Sequence, residues 1–233
     1  MVEIGISLQD QVGKTVKKLG YSFLELEGDV TEFKYDGNEP LIVLCRHESS
    51  SGKPSLTVHY PGNPSEKTMG GRPETLGFSY PSLGTSIYKE IVKIDYEIDK
   101  VFEATHHGPT IDIPVVFVEV GSSEEMWKNE TLVKSLVEAV LRGIENMKTC
   151  EEVVVGLGGP HYAYQFSSIT KDSCLGHVIS KHYVKSIKDD VIRQSVLRSR
   201  DKTTKVIFND LSQKLRSKIQ ESLSDLNLIF ELI

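Results

Sequence analysis

The chain reads as a three-layer α/β domain, a mixed sheet flanked by helices. Two observations predict it. Strand-like and helix-like segments alternate along the sequence, the order that lays helices over the faces of a sheet. The runs richest in reactive side chains, Glu103 to Thr110 and Gly156 to Ala163, fall where strands stop, and α/β proteins assemble their sites at strand ends.

Taken in order, Val2 to Ser7 alternates like a strand and Gln11 to Leu19 is a helix closed by Gly20. Leu41 to Cys45 is a continuous apolar run suited to a buried strand, and Ser55 to Tyr60 alternates as a more exposed one. Between Pro61 and Gly84 proline and glycine crowd the chain. A loop of that length in a compact domain is expected to face substrate or act as a lid. Gly84 to Tyr96 supports a helix. Val101 to Thr105 has the β-branched and aromatic content of a strand, ended by Gly108-Pro109. Pro114 to Val120 is another strand, and Ser122 to Glu125 has the capping-box pattern. Leu132, Leu136, Val137, Val140, Leu141 and Ile144 then form the stripe of a long packed helix. Val153 to Val155 is a short apolar strand running into glycines and His161. Lys205 to Phe208 is a strand, Leu211 to Leu223 a helix stripe, and Asn227 to Leu232 a last strand.

Length and composition allow one domain over residues 1–233 with a sizeable core: 39% of residues are hydrophobic and 26% charged. No apolar run reaches membrane-spanning length and the N-terminus lacks a secretory pattern, so a cytoplasmic protein with no membrane partner, acting as a monomer, is expected. Cys45, Cys150 and Cys174 are odd in number and widely spaced, which predicts free thiols. The net charge of −6 hides an uneven distribution. Lys181 to Gln220 carries eleven basic residues against four acidic ones, read as solvated helix faces or as a phosphate-contacting patch that includes Arg198 and Arg200.

Familiar signatures are excluded by inspection. Gly13-Lys14-Thr15 lacks the glycine of a phosphate loop, and Gly156-x-Gly158 meets His161 where a dinucleotide fingerprint needs its third glycine, with Tyr-Ala rather than a helix following. There is no Gly-x-Ser-x-Gly elbow and no His-Glu-x-x-His helix. Three histidines at two glycine-punctuated strand ends are the remaining signal. Neighbours on extended chain point to opposite faces, so one of His106 and His107 is expected to be a ligand and the other a supporting or proton-transfer group, unless the Gly-Pro turn bends the chain.

Several motifs in order resemble the archaeal and plant type of D-aminoacyl-tRNA deacylase: Cys45-Arg46-His47, Gly52 to His59 with Pro61-Gly62-Asn63, Glu103 to Thr110, Phe117 to Ser122, Gly158 to Tyr162, and Gly176-His177. The chain departs from the family pattern at Pro160 and at Tyr164-Gln165. The resemblance covers nearly the whole chain. It implies a fold similar to peptidyl-tRNA hydrolase and nucleoside phosphorylases, hydrolysis of the ester joining a D-amino acid to the tRNA 3′ end, and a requirement for Zn2+. On that basis His106 and His161 are the expected metal ligands, Glu103 either completes the shell or acts as general base, and His107 shuttles protons. His47, His59 and His177 are second choices. A metal-free alternative stays open, in which the amides of Gly158 and Gly159 bind the oxyanion while a histidine activates water. Arg46, Lys53, His59, Asn63 and Tyr162 are the expected contacts to the tRNA end. The competing readings are a phosphorylase-like or amide-cleaving metal enzyme and a non-catalytic tRNA-end binding module.

Overall fold

A computed structural model describes residues 1–49 and 52–233. The strands are β1 (Glu3–Ile6), β2 (Leu24–Glu25), β3 (Leu41–His47), β4 (Ser55–His59), β5 (Gly62–Asn63), β6 (Thr75–Leu76), β7 (Asp99–Phe102), β8 (Val115–Gly121), β9 (Val153–Gly158), β10 (Cys174–Ile179), β11 (Lys205–Asn209) and β12 (Ile229–Leu232). The helices are α1 (Gln11–Lys18), α2 (Pro81–Val92), α3 (Glu124–Lys128), α4 (Glu130–Glu145), α5 (Tyr164–Ile169), α6 (Lys181–Val184), α7 (Asp189–Leu197) and α8 (Gln213–Ser222). No helix among the described residues is long and apolar enough to cross a membrane.

Local chemistry sets the helix ends. The Asp10 carboxylate accepts the N–H groups of Val12 and Gly13 and so starts α1, while Lys17 and Lys18 sit in its last turn against the negative end of the dipole. Helix α2 starts three residues before the predicted Gly84, because Pro81 occupies a position whose missing N–H costs nothing. Ser123, not Ser122, caps α3. The predicted long helix is in fact two, since Asn129 ends α3 and its side chain accepts the Leu132 N–H at 3.0 Å to start α4. A helix, α5, does follow His161, after a gap that the Tyr162-Ala163 sequence obscured.

The sheet is laid in two main sections. Six strands in the order β2-β1-β3-β8-β4-β7 form a mixed section, in which the β8–β4 pair is antiparallel and the other pairs are parallel. Four strands in the order β10-β9-β11-β12 form an all-parallel section. The segment after β7 stitches the two together. Glu103 N–H donates to the Val58 carbonyl at 2.9 Å, Ala104 to His161 at 2.8 Å and Thr105 to Val178 at 2.7 Å, so consecutive residues bond first to one section and then to the other. Helices cover both faces. Leu56, Val58, Phe102, Val116, Val118 and Val120 of the mixed section pack against Leu83, Ile87, Ile91, Leu136 and Val140 of α2 and α4. Val155, Leu157, Ile179, Val206 and Phe208 of the parallel section meet Val191, Ile192, Val196 and Ile219 of α7 and α8.

The opposite face of the mixed section carries the odd-numbered residues of β3, β4 and β8. Val43, Cys45 and Phe117 are capped there by Leu26, Val30 and Phe33. Beside them on the same face lie His47, Thr57, His59 and Glu119, all buried. A buried polar row on a sheet face is costly unless its groups satisfy one another or a ligand.

The expectation of free thiols is corrected for two of the three cysteines. Cys174 opens β10 opposite Val153 of β9, which brings Cys150 alongside it; the two form a disulfide with Cα atoms 6.0 Å apart. Cys45 is free and buried. The bridge closes a loop with a sequence separation of 24 residues, for which chain entropy gives about 3 kcal/mol. Cys150→Ser is therefore expected to lower the unfolding free energy in urea by about that much, and reductant to do the same to the unaltered protein. Equal midpoints for oxidised and reduced protein would contradict this.

Candidate active site

Five strands converge on one cluster. His47 ends β3, His59 ends β4, Glu119 lies in β8, and Glu103, His106 and His107 follow β7; His161, after β9, closes the circle. The chain turns sharply at His107, whose φ of 44° lies in the left-handed region that non-glycine residues seldom occupy. That turn is the bend without which His106 and His107 would face apart. Both imidazoles enter the cluster, with ring centroids 4.5 Å apart and both near His59, at 4.3 Å from His106 and 4.8 Å from His107. The turn is held by a close neighbour: a Cβ on Gly108 would stand 2.5 Å from the backbone of Gly70, so only glycine fits.

The hydrogen bonds fix which nitrogens face inward. Nδ1 of His106 donates to the Ala104 carbonyl at 2.9 Å and Nδ1 of His107 to the Gly108 carbonyl at 2.5 Å. A carbonyl can only accept, so each ring presents a lone pair on Nε2, the tautomer a metal or a proton requires. His47 is held between two carboxylates, with Nδ1 3.1 Å from Glu119 Oε2 and 3.3 Å from Glu103 Oε1, while its Nε2 meets the Tyr162 hydroxyl at 2.9 Å. Cys45 Sγ and Thr57 Oγ1 also donate to Glu119, at 3.3 and 3.4 Å. Glu119 is thus surrounded by donors.

Glu103 and His59 are not. Both are buried, His59 Nδ1 lies 3.5 Å from Glu103 Oε2, yet neither oxygen of Glu103 and neither nitrogen of His59 has a hydrogen bond of acceptable geometry. Native interiors leave few such groups unpaired.

Charges divide accordingly. Burial, and then the Glu119 charge, push Glu103 up to about 8. Burial would raise Glu119 as well, but His59, His107 and His47 outweigh it and hold it well below the carboxylate range. Only one carboxylate of the pair therefore carries charge at neutral pH. Burial also keeps His59 and His106 well below the ordinary histidine value, reinforced by the neighbouring imidazoles, and brings His161 down to about 4. For His47 burial acts downward but the two glutamates prevail and raise it.

A cavity of about 430 Å³ opens onto His47, His106, His107, Glu119 and His161, with Met69 of the proline- and glycine-rich loop on its rim. That loop is folded down rather than open. The Asn63 amide donates to the carbonyls of Gly70 and Arg72, and Gly108 N–H donates to Met69.

The predicted trio of Glu103, His106 and His161 comes together, with ligand atoms within 4.8 Å of one another, as do His59, His106 and His107, and His47, Glu103 and Glu119. Other expectations are corrected. His59 forms the cluster floor, fully buried and stacked 5.1 Å from Phe117, rather than contacting a tRNA end. Asn63 clamps the loop. Gly159 donates its N–H to the Asn209 carbonyl at 3.0 Å, which leaves it no proton for an oxyanion. Gly158 is required for packing, since a Cβ there would fall 1.8 Å from Asn209 O. His177 lies outside the cluster: its Nε2 donates to the Gly77 carbonyl at 3.0 Å, so its Nδ1 accepts from the Thr105 hydroxyl at 2.8 Å and steadies the residue before His106. Arg46 lines the cavity but is tied to Asp10 and Glu48, and Lys53 lies 3.8 Å from Asp99 at the far end of β7. The basic C-terminal segment is partly neutralised, six of its eleven cations being paired to carboxylates. Arg198 and Arg200 lie over the rings of Phe78 and Tyr80, at 4.3 and 4.8 Å, and so pin the start of α2.

Sequence reasoning missed Glu119 and Thr57. The signal for Glu119 was one carboxylate in the otherwise apolar strand Val115-Val116-Phe117-Val118-Glu119-Val120, which a buried strand does not tolerate without a reason.

Comparison with known proteins bears on what this cluster does. A family model described as D-aminoacyl-tRNA deacylase matches residues 35–231. A D-aminoacyl-tRNA deacylase of Sulfurisphaera tokodaii is 51% identical over 233 residues, covering 99% of this chain and 98% of its own length. One from Saccharolobus solfataricus is 50% identical over 231 residues, covering 98% and 97%, and one from Saccharolobus islandicus is 47% identical over 234 residues, covering 99% of each. A crystal structure of a conserved protein of unknown function shares the fold, with a TM-score of 0.85 over 100% of this chain and 95% of that one at 24% identity.

Proposed function

The chain belongs to the D-aminoacyl-tRNA deacylase family, and from that premise we propose that residues 1–233 form a single domain that hydrolyses the ester of D-aminoacyl-tRNA at the histidine cluster with the help of zinc. The observation that carries the metal reading is the orphaned pair: a buried carboxylate and a buried imidazole 3.5 Å apart, with no hydrogen bond on either, beside two histidines whose lone pairs are already turned inward. Nitrogen and oxygen donors of this kind suit zinc. His106, His161 and Glu103 would hold it, with His59 and His107 at its side. A cation there favours the ionised form of Glu103, reversing the effect of burial. When bound, zinc supplies Lewis-acid polarisation of the ester carbonyl and lowers the pKa of water toward neutrality.

The remaining work falls to the protein. An aminoacyl ester is activated already, so the site has to orient water and move two protons. Glu119, ionised and on the cavity wall, takes the proton of the attacking water, with His107 Nε2 3.8 Å away to share it. The His47 and Tyr162 pair delivers a proton to the departing ribose oxygen; the carboxylates of Glu103 and Glu119 beside His47 Nδ1 favour its protonated form before the water's proton moves to Glu119. Met69 and the folded loop limit access of bulk water.

The experiment is direct. Given matched D- and L-aminoacyl-tRNA, the protein is expected to release free tRNA from the D form and to spare the L form. Equal rates on the two would reject the reading, and cleavage of a nucleoside or an acylated amino acid alone would favour the phosphorylase-like or amidase alternative.

A further inference from the structure

A second concavity of about 290 Å³ lies between α2, β7 and α5, floored by Tyr88, Val92 and Tyr164 and flanked by Lys89 and Lys171. It joins the cluster through a line of rings. His161 and Tyr162 are 6.0 Å apart at 30°, and Tyr162 and Tyr164 are 6.2 Å apart edge to face at 82°. The Tyr164 hydroxyl donates to Asp99 Oδ2 at 2.8 Å, which fixes the ring at the start of β7 with half of its residue surface exposed to solvent. Among the described residues no carboxylate lies within ion-pair distance of Lys89 or Lys171, whereas six of the eleven cations of the C-terminal segment are paired. Of the two aromatic rings Tyr164 is exposed and Tyr88 buried; an exposed ring with unneutralised lysines beside it is a composition that holds single-stranded nucleic acid, the ring taking a base and the cations phosphates.

Resting on the deacylase reading, we propose that this groove is the subsite for the unpaired nucleotides that precede the terminal adenosine of the tRNA, which follow the Tyr162-Tyr164 line away from the cluster. The charge is complementary to an RNA strand, and the ring contacts from His161 through Tyr162 to Tyr164 lead from the cluster to the groove. It also assigns the tRNA a direction of approach, over α5 and the end of α2 rather than over α7 and α8. Tyr162 contributes twice, its hydroxyl to His47 and its ring to the line.

The test compares two substrates, a D-aminoacyl-tRNA and the same D-amino acid esterified to adenosine alone. Tyr164→Ala is expected to raise KM for the tRNA about tenfold, the loss of one stacked base, with kcat unchanged. Tyr164→Phe, which keeps the ring, restores the low KM. The double variant Lys89→Glu, Lys171→Glu should raise KM similarly and reduce the slope of log KM against log salt by about 0.7 for each phosphate that is no longer neutralised. All of these effects should be confined to the tRNA substrate. Unchanged KM for tRNA in both variants overturns the groove, and so does an equal rise for the adenosine ester, which would place the effect in the cluster. Failure of the unaltered protein to cleave either ester overturns the deacylase reading itself and the groove with it.

Discussion

Replacing His106 with alanine lowers the single-turnover rate on D-aminoacyl-tRNA by about 10²–10⁴-fold, the range for loss of a positioned electrostatic or acid-base group. His106 belongs to two of the three donor groups, those with His59 and His107 and with Glu103 and His161, so its removal breaks both. The change should show in two further measurements. Metal affinity falls, because the Nε2 lone pair set by the Ala104 carbonyl is lost. Fold stability does not fall in step. His106 is held well below its ordinary pKa by burial and by the imidazoles around it, so its ring contributes no charge pairing to the native state. Its backbone anchors, the bonds from Ala104 and Thr105 to the parallel section, do not involve its side chain. A melting temperature within a few degrees of the unaltered protein, a stripped metal and a slow reaction form the expected set. A variant that keeps its metal and its rate would remove His106 from the chemistry and return it to packing.

Much of this fold was legible because buried strands read as short apolar runs and packed helices show period 3.6; β4, expected to be a more exposed strand, is buried along its whole length. β1, β3, β4, β8 and β11 stand within two residues of their predicted bounds, as does α1. β10 was not found, since Gly176 and His177 interrupt its apolar run and a register shift between Leu175 and Val178 breaks the alternation. The division into two sheet sections was also hidden. It rests on Glu103, Ala104 and Thr105 changing hydrogen-bond partners one by one, a matter of three-dimensional path rather than of residue type. At the site, strand-end logic located the loops of His106 and His161 and made the direction of His107 depend on a bend at Gly108-Pro109, which residue types alone do not settle because the left-handed turn is held by Gly70 packing on Gly108 across a long loop. Glu119 was visible as an oddity in an apolar strand and lacked a partner to give it meaning. Only the alignment of β3, β8 and β4 puts Cys45, Glu119 and Thr57 side by side, with His47 and His59 one step on along the same face. The cysteines illustrate the same limit, since the bond between Cys150 and Cys174 follows from β9 and β10 being neighbours.

Loss of metal is expected to have the largest effect of all. A site in which one ion both polarises the ester and lowers the pKa of water loses both functions together, so chelated protein should show no hydrolysis above background. The carboxylate pair adds a reason. With Glu103 raised to about 8 by burial and the Glu119 charge, the cluster without a cation carries a proton on the very group expected to bind it, and metal binding should release that proton. The protein fold should survive removal, because the cluster is tied in from five strands through backbone bonds rather than held by the ion. The deciding measurement is a zinc titration of stripped protein, with bound zinc read by elemental analysis and the single-turnover rate on D-aminoacyl-tRNA read in the same samples. The account predicts a rate that starts at background and rises in proportion to bound zinc; full hydrolysis of the D ester by protein shown to hold no metal would contradict it.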